Sequence, residues 1–392
     1  MRPPSDETKL VHSDYTPPEG FACLSTPVHH ASTVLFPTVK AHRERRERLY
    51  DGYTYGLAGT PTTMTLAARI ADLEGGHRAL LVPSGLSAIA LTYLALLTRG
   101  DHVLVPDNVY GPSRELCRRL LTGLGIDATF YDPLAGGAIA SLLREETKLV
   151  WVESPGSITM EVQDVPAIAA AAHARGALVA IDDTWSAGLY FKPFEHGCDI
   201  SVQAVTKYIG GHADLMMGAV TAKDEALYRR LKDVAGVLGL GAAPDDCFLA
   251  LRGLSSMAAR LRQHQASALR IATWLRDRAE VERVRHPAFP DCPGHEFWMR
   301  DFTGASGLFS IILREGFSAA DVERMVDGFA YFKIGASWGG PVSLALVMEP
   351  NHLRTATVWN EPGQLLRLNI GLEDPEDLIA DLNAGVDRLR GK

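Results

Sequence analysis

The feature that most constrains this chain is a series of short strands that have no polar face. Residues 79–82 (ALLV), 103–105 (VLV), 149–152 (LVWV) and 178–181 (LVAI) are continuous apolar runs. A strand apolar on both faces must be covered on both faces, as in a mostly parallel sheet between helices. The intervening segments supply the cover. Residues 86–97 form a helical run almost free of charge, and 166–175 an alanine-rich helix with proline in its first turn. Strand, turn and helix repeat in this way from about residue 60 to 220. The pattern predicts an α/β domain with a doubly wound sheet, whose ligands belong at the carboxyl ends of the strands.

The flanks read differently. Residues 1–58 are rich in proline and polar residues and read as an arm. Within the arm, RERRER at 43–48 alternates in sign and reads as a solvated helix face. The stretch 255–279 is a long helical pattern, 307–313 and 366–370 read as strands, and Ser318 with Asp321 opens a helix. Asp374 and Pro375 start a last helix, so the C-terminal part reads as a smaller α+β domain. The expected organisation is an arm at 1–58, a large domain at 59–245 and a C-terminal domain at 246–392.

Composition narrows the function. A net charge of −8 gives no footprint for nucleic acid or an anionic membrane. No apolar run approaches a membrane span, and the first twenty residues lack the apolar core of a secretory signal. Five scattered cysteines without a CxxC pair suggest neither a disulfide framework nor zinc. No HExxH spacing occurs among the thirteen histidines, so no metal is assigned. A reducing, cytoplasmic setting fits best.

The chemistry concentrates at strand ends. Lys207 follows the apolar run at 200–202, among Thr206, Tyr208 and glycines at 210, 211 and 218. Such a lysine either snorkels to solvent or is a buried, reactive amine. Ser84, Gly85 and Leu86 lie where a strand feeds a helix, a plain turn or an anion site built from free N–H groups and the helix dipole. Tyr110 is a packing residue or an aromatic plate over a planar ring. Asp182 ends the 178–181 strand and is a backbone cap or the partner of a buried cation. Phosphate turn, plate, acid and lysine come in that order on successive strands. Together they describe a pyridoxal 5′-phosphate site. The phosphate takes Ser84, Gly85, Leu86 and the Thr206 hydroxyl, the ring nitrogen takes Asp182, and the aldehyde takes Lys207.

The chain resembles the Cys/Met-metabolism family of pyridoxal-phosphate enzymes of fold type I over nearly its whole length. The resemblance rests on YTYGLAGTPTT (53–63), VPSGLSAIA (82–90), DHVLVPDNVYGPS (101–113), IDDTWSAG (181–188), QAVTKYIGGHAD (203–214) and LRLNIGLED (366–374). ESPGSITME (153–161), FTGASGLFS (302–310) and SWGG (337–340) point to its carbon–sulfur β-lyase branch. The resemblance implies cleavage of cystathionine or a related S-substituted cysteine to a thiol, pyruvate and ammonia. A γ-lyase, γ-synthase or cysteine desulfhydrase on the same scaffold is the alternative, and a non-catalytic cofactor carrier the rival of another class. It further implies that Lys207 is the Schiff-base lysine and the base at Cα, Asp182 the ring-nitrogen partner and Tyr110 the stacking tyrosine. Arg367 would hold the substrate carboxylate, with Ser337 and Trp338 beside the substrate. Tyr55 would reach the phosphate of a neighbouring subunit in a homotetramer built from dimers. Three departures stand out. Leu57 occupies the position where the family carries an arginine, Ala58 the one where its β-lyase branch often carries another, and Asp183 stands where asparagine is usual. The lost positive charge predicts a relaxed pocket for the distal end of the substrate.

Overall fold

The computed structural model describes residues 3–12 and 15–391. The arm carries two short helices, α1 (Asp6–Val11) and α2 (Val39–Arg43), with 3-10 turns at Glu44–Arg48 and Gly56–Ala58. It leads into α3 (Pro61–Glu74). There Thr60 and Thr63 form a reciprocal capping box, and Gly75 closes the helix in the left-handed conformation.

The large sheet has seven strands: β1 (Arg78–Val82), β2 (His102–Pro106), β3 (Asp127–Tyr131), β4 (Thr147–Glu153), β5 (Leu178–Asp182), β6 (Ile200–Gln203) and β7 (Gly218–Ala222). Their order is β1-β7-β6-β5-β4-β2-β3. Strands β2 to β6 pair in parallel, whereas β7 runs antiparallel to both β6 and β1. Two antiparallel steps restore the direction of β1, so β1, β2, β4, β5 and β6 all present their carboxyl ends at one edge. Helices α4 (Gly85–Leu96), α5 (Gly111–Leu116), α6 (Val165–His173) and α7 (Glu225–Val237) complete this part of the chain. One apolar cluster packs α4 and α7 on one face of the sheet, and another packs α6 on the opposite face. This is the doubly wound arrangement the apolar runs demand.

Helix α8 (Pro244–Arg276) begins well before the expected residue 255. Proline and two aspartates in its first turn suit a helix N-terminus. Cys247, Ala250, Leu254 and Leu261 pack it against the large domain, while Ala268, Ile271 and Leu275 join a second core. That core belongs to an antiparallel sheet of β8 (Val281–Arg285), β9 (Leu308–Leu313), β10 (Leu344–Met348) and β11 (Leu365–Asn369), in the order β10-β11-β9-β8. Helices α9 (His295–Asp301), α10 (Ala319–Asp327) and α11 (Pro375–Leu389) accompany it. Ser318 and Asp321 form the expected capping box, and Asp374 caps α11. No described helix is long and apolar enough to cross a membrane.

Candidate active site

The site is built on the shared carboxyl edge of the large sheet. After β1, Ser84 turns the chain and caps α4, accepting the Ser87 N–H at 3.1 Å. A Cβ on Gly218 would come 2.3 Å from the Ser84 carbonyl, and one on Gly85 would come 2.8 Å from the Ala204 Cβ. Glycine at both places lets the ends of β1, β6 and β7 touch. The N–H groups of Gly85 and Leu86 have no hydrogen-bond partner among the described residues. They point to an anion site at the head of a twelve-residue helix.

Tyr110 follows β2 at the start of α5. Its N–H donates to Glu153 Oε2 at 2.8 Å, and the residue is 42% exposed. The nearby Asp107 carboxylate takes the Arg114 guanidinium and the N–H groups of Thr355, Ala356 and Thr357, which fastens the 354–357 loop to the end of β2. Between them, the 157–160 turn holds Ile158 and Met160 at φ of +71° and +60°. Left-handed backbone at a β-branched residue is strained, and such strain gathers at functional sites.

Asp182 ends β5. One of its oxygens, Oδ1, accepts both the N–H of Thr184, at 3.1 Å, and the Thr184 hydroxyl. The other oxygen has no protein partner among the described residues. The cap and the free acceptor therefore coexist on one carboxylate. Burial raises its pKa, opposed by the Thr184 bonds and the Lys207 charge.

Lys207 lies beyond β6, and its Nζ donates to Ser337 Oγ at 2.6 Å, with the Trp338 ring centroid at 5.1 Å. Burial first, and Arg367 second, lower its pKa to about 8 against the pull of Asp182. The contact between the two domains is intimate here. Gly339 has φ +81°, and a Cβ on it would lie 3.1 Å from the Tyr208 nitrogen. The Gly339 N–H is held by Asn369 Oδ1 at 3.0 Å. The SWGG segment thus lies directly on the backbone of Lys207 and Tyr208. Arg367, on β11, donates to the Ser337 carbonyl at 3.3 Å and pairs with no carboxylate among the described residues. A half-buried guanidinium without a counter-ion is poised for an anionic ligand.

The structure thus brings together Lys207, Asp182, Tyr110, Arg367, Ser337 and Trp338, with the Ser84–Leu86 turn at the same sheet edge. These groups fit pyridoxal phosphate: free amides for phosphate, an exposed ring, a free carboxylate oxygen and a low-pKa amine. Two further expected residues lie outside this set. The Thr206 hydroxyl bridges the carbonyl and N–H of Met217, at 3.1 and 3.0 Å, and so closes its own turn. Tyr55 is exposed on the arm, touching Ser32 Oγ at 3.4 Å. His212 bonds the Gly210 carbonyl, as a loop residue.

Glu153 and Thr184 escaped the sequence reading. Glu153 lies opposite Asp182 in the β4–β5 register, and burial holds its carboxyl well above the usual range. A glutamate that ends an apolar strand was the available signal. Asp183 is fully buried and faces away from the site, taking the Gly188 N–H at 3.0 Å and the Gln203 amide at 3.1 Å. Burial pushes its carboxyl well above the ordinary range, with Glu74 as a like-charged neighbour. That burial favours the neutral form of the acid, whose shape is close to that of an asparagine.

Comparison with known proteins agrees with this geometry. The family model of Cys/Met metabolism PLP-dependent enzymes matches residues 7–387. The cystathionine beta-lyase MetC of Escherichia coli is 41% identical over 98% of both chains. An L-alanine/L-glutamate racemase of Wolbachia pipientis is 38% identical over 93% of both chains. A cystathionine gamma synthase structure from Xanthomonas oryzae superposes with a TM-score of 0.90, at 32% identity and 99% coverage of both chains.

Proposed function

We propose, for a chain that belongs to the Cys/Met-metabolism family of pyridoxal-phosphate-dependent enzymes, that it is a carbon–sulfur β-lyase acting on cystathionine or a related S-substituted cysteine. The observation that carries the reading is the Lys207 amine, 2.6 Å from Ser337 Oγ, of lowered pKa and near the unpaired Arg367. Such a set suits an amino acid whose carboxylate is clamped while its Cα proton is taken.

Pyridoxal phosphate, when bound, supplies the electron sink for a carbanion at Cα. The chain's own residues do the rest. The free Asp182 oxygen would keep the ring nitrogen protonated, and the Tyr110 ring would cover one face. Arg367 would hold the substrate carboxylate by a two-point contact. Lys207 Nζ would take the Cα proton, as a base whose pKa near 8 suits neutral pH. Burial, Asp182 and Glu153 keep the Tyr110 phenol protonated, so it can donate to the departing thiolate. The Cβ–S bond breaks with its electron pair on sulfur. Water completes the balance, giving thiol, pyruvate and ammonia.

The reading extends to assembly. Phe21, Leu24 and Leu35 on the arm, and Val237 and Leu238 at the end of α7, are exposed apolar residues. A second copy of the chain would cover them, with Tyr55 completing the neighbour's phosphate site, in a homotetramer made of such dimers. A cytoplasmic location suits five cysteines that are all free thiols.

The test is a substrate panel on the reconstituted protein. Pyruvate from S-substituted cysteines supports the β-lyase. 2-Oxobutanoate would instead indicate γ-elimination. Inverted alanine or glutamate without keto acid would indicate the racemase chemistry named for the Wolbachia relative.

A further inference from the structure

Lys232, in the third turn of α7, is a cation that makes no ion pair among the described residues. Its Nζ donates to the Ala58 carbonyl at 2.8 Å, and among the described residues no carboxylate lies within 4 Å of it. It is half-buried, and burial alone lowers its pKa. An ammonium taken partly out of water, with one neutral acceptor, is under-compensated unless an anion joins it. Its acidic neighbour on α7, Asp233, makes no ion pair with it and takes the Tyr50 hydroxyl at 2.8 Å.

Its surroundings say where such an anion would come from. Lys232 lines a cavity of about 1010 Å³ together with Tyr55, Leu57 and Ala58, whose walls also carry Arg78 and the acids Asp51, Asp72 and Asp233. Leu57 rests one edge on the α7–α8 loop, where a Cβ on Gly241 would lie 2.8 Å from its Cδ1. The turn that carries Leu57 and Ala58 is thereby fastened to the end of α7, and the ammonium sits beside that turn. The exposed Tyr55, Leu57, Val237 and Leu238 surround the same region.

We propose that Lys232 supplies, across the subunit interface, the positive charge that Leu57 and Ala58 do not, and binds an anionic oxygen group in the neighbouring subunit's site. This rests on the dimer proposed above. Two groups share that chemistry: the cofactor phosphate and the distal carboxylate of a cystathionine-like substrate. In either case the region is not the charge-free pocket that residues 57 and 58 alone suggest.

The deciding variants are Lys232→Gln, which keeps a donor toward the Ala58 carbonyl and removes the charge, and Lys232→Arg, which keeps both. Sedimentation of the unmodified holoenzyme comes first. A monomer would remove the dimer, and this proposal with it. If the anion is the substrate carboxylate, Lys232→Gln lowers the ratio of kcat/KM for cystathionine over S-ethylcysteine by roughly tenfold to a hundredfold, and Lys232→Arg restores it. If the anion is the phosphate, that ratio holds, and the dissociation constant for pyridoxal phosphate by equilibrium dialysis rises by the same order. Neither quantity moving in a folded, dimeric Lys232→Gln protein would reduce Lys232 to a prop for Ala58 and overturn the proposal, as would equal losses in the two variants. Should Lys232→Gln not fold, trace acetylation of Lys232 in the unmodified protein decides. Protection on adding pyridoxal phosphate or cystathionine supports the anion contact, and unchanged labelling with both overturns it. An enzyme that forms no pyruvate would sink the β-lyase reading alone, because the dialysis arm would still stand.

Discussion

The state of Lys207 before cofactor binds is the most direct test of the site. Its amine is placed at a pKa of about 8, from an ordinary 10.5. At pH 7 about a tenth of it would then be neutral, against roughly three parts in ten thousand for an exposed lysine, a gain of about 300-fold in reactive amine. Trace acetylation of the apoprotein across pH, read by mass spectrometry of the Lys207 peptide, should give a midpoint near 8. The two charges nearby set the direction of further shifts. Arg367→Gln removes a cation that lowers the pKa and should move the midpoint up, and Asp182→Asn removes the anion that raises it and should move it down. Stability carries the same signature. The folded pKa is depressed, so between about pH 8 and 10.5 the unfolded chain binds more protons and stability rises with pH. The group costs about 3 kcal/mol below pH 8, and that penalty fades by pH 10.5. Lys207→Met, compared with the unmodified apoprotein in urea, should therefore show an advantage at pH 7 that shrinks on raising the pH. A Lys207 midpoint at 10 or above, with a stability difference that does not change with pH, would refute the picture of a desolvated amine.

Other outcomes can be stated briefly. Asp182→Asn should keep cofactor bound yet slow elimination by about a hundredfold or more, because the ring nitrogen loses its carboxylate; near-normal turnover at saturating cofactor would disprove the role. Asp183→Asn should leave turnover nearly unchanged and, because the raised Asp183 pKa makes the native acid lose stability as pH rises, should raise the melting temperature more at pH 8 than at pH 5. Gly339→Ala should cost about 1–2 kcal/mol for its φ of +81° and lower kcat by pressing on the Lys207 backbone, with melting and turnover as readouts. Leu35→Asp, on the exposed arm, should shift sedimentation toward a smaller species; an unchanged sedimentation coefficient would remove the arm from the interface.

What could be read from the sequence follows the physics of each element. Strands β1, β2, β4 and β5 were legible because burial on both faces leaves an unbroken apolar run, β6 through the shorter Ile200-Ser201-Val202, and the ends of β5 and β6 marked Asp182 and Lys207. Strand β3 was not, because Asp127 is exposed and the strand has only one neighbour at the sheet edge. Strand β7 was hidden because GAVTA is made largely of small residues, and only pairing between β1 and β6 decides its state. The start of α8 was hidden because its first turns are apolar toward the large domain rather than periodic in charge. The same reasoning separates the residues of the site. Lysine, aspartate and tyrosine at strand ends carry their chemistry in type and position. Asp183 does not, since its environment is a burial that favours the neutral acid, and an aspartate in a sequence is read as charged. Lys232 does not either, since what distinguishes it is the lack of an acid within ion-pairing distance among the described residues, which only the fold can establish. The two departures at 57 and 58 are informative only alongside that lysine. A lost charge in one segment fixes the charge of a pocket only when every chain segment facing that pocket is known, and α7 faces this one.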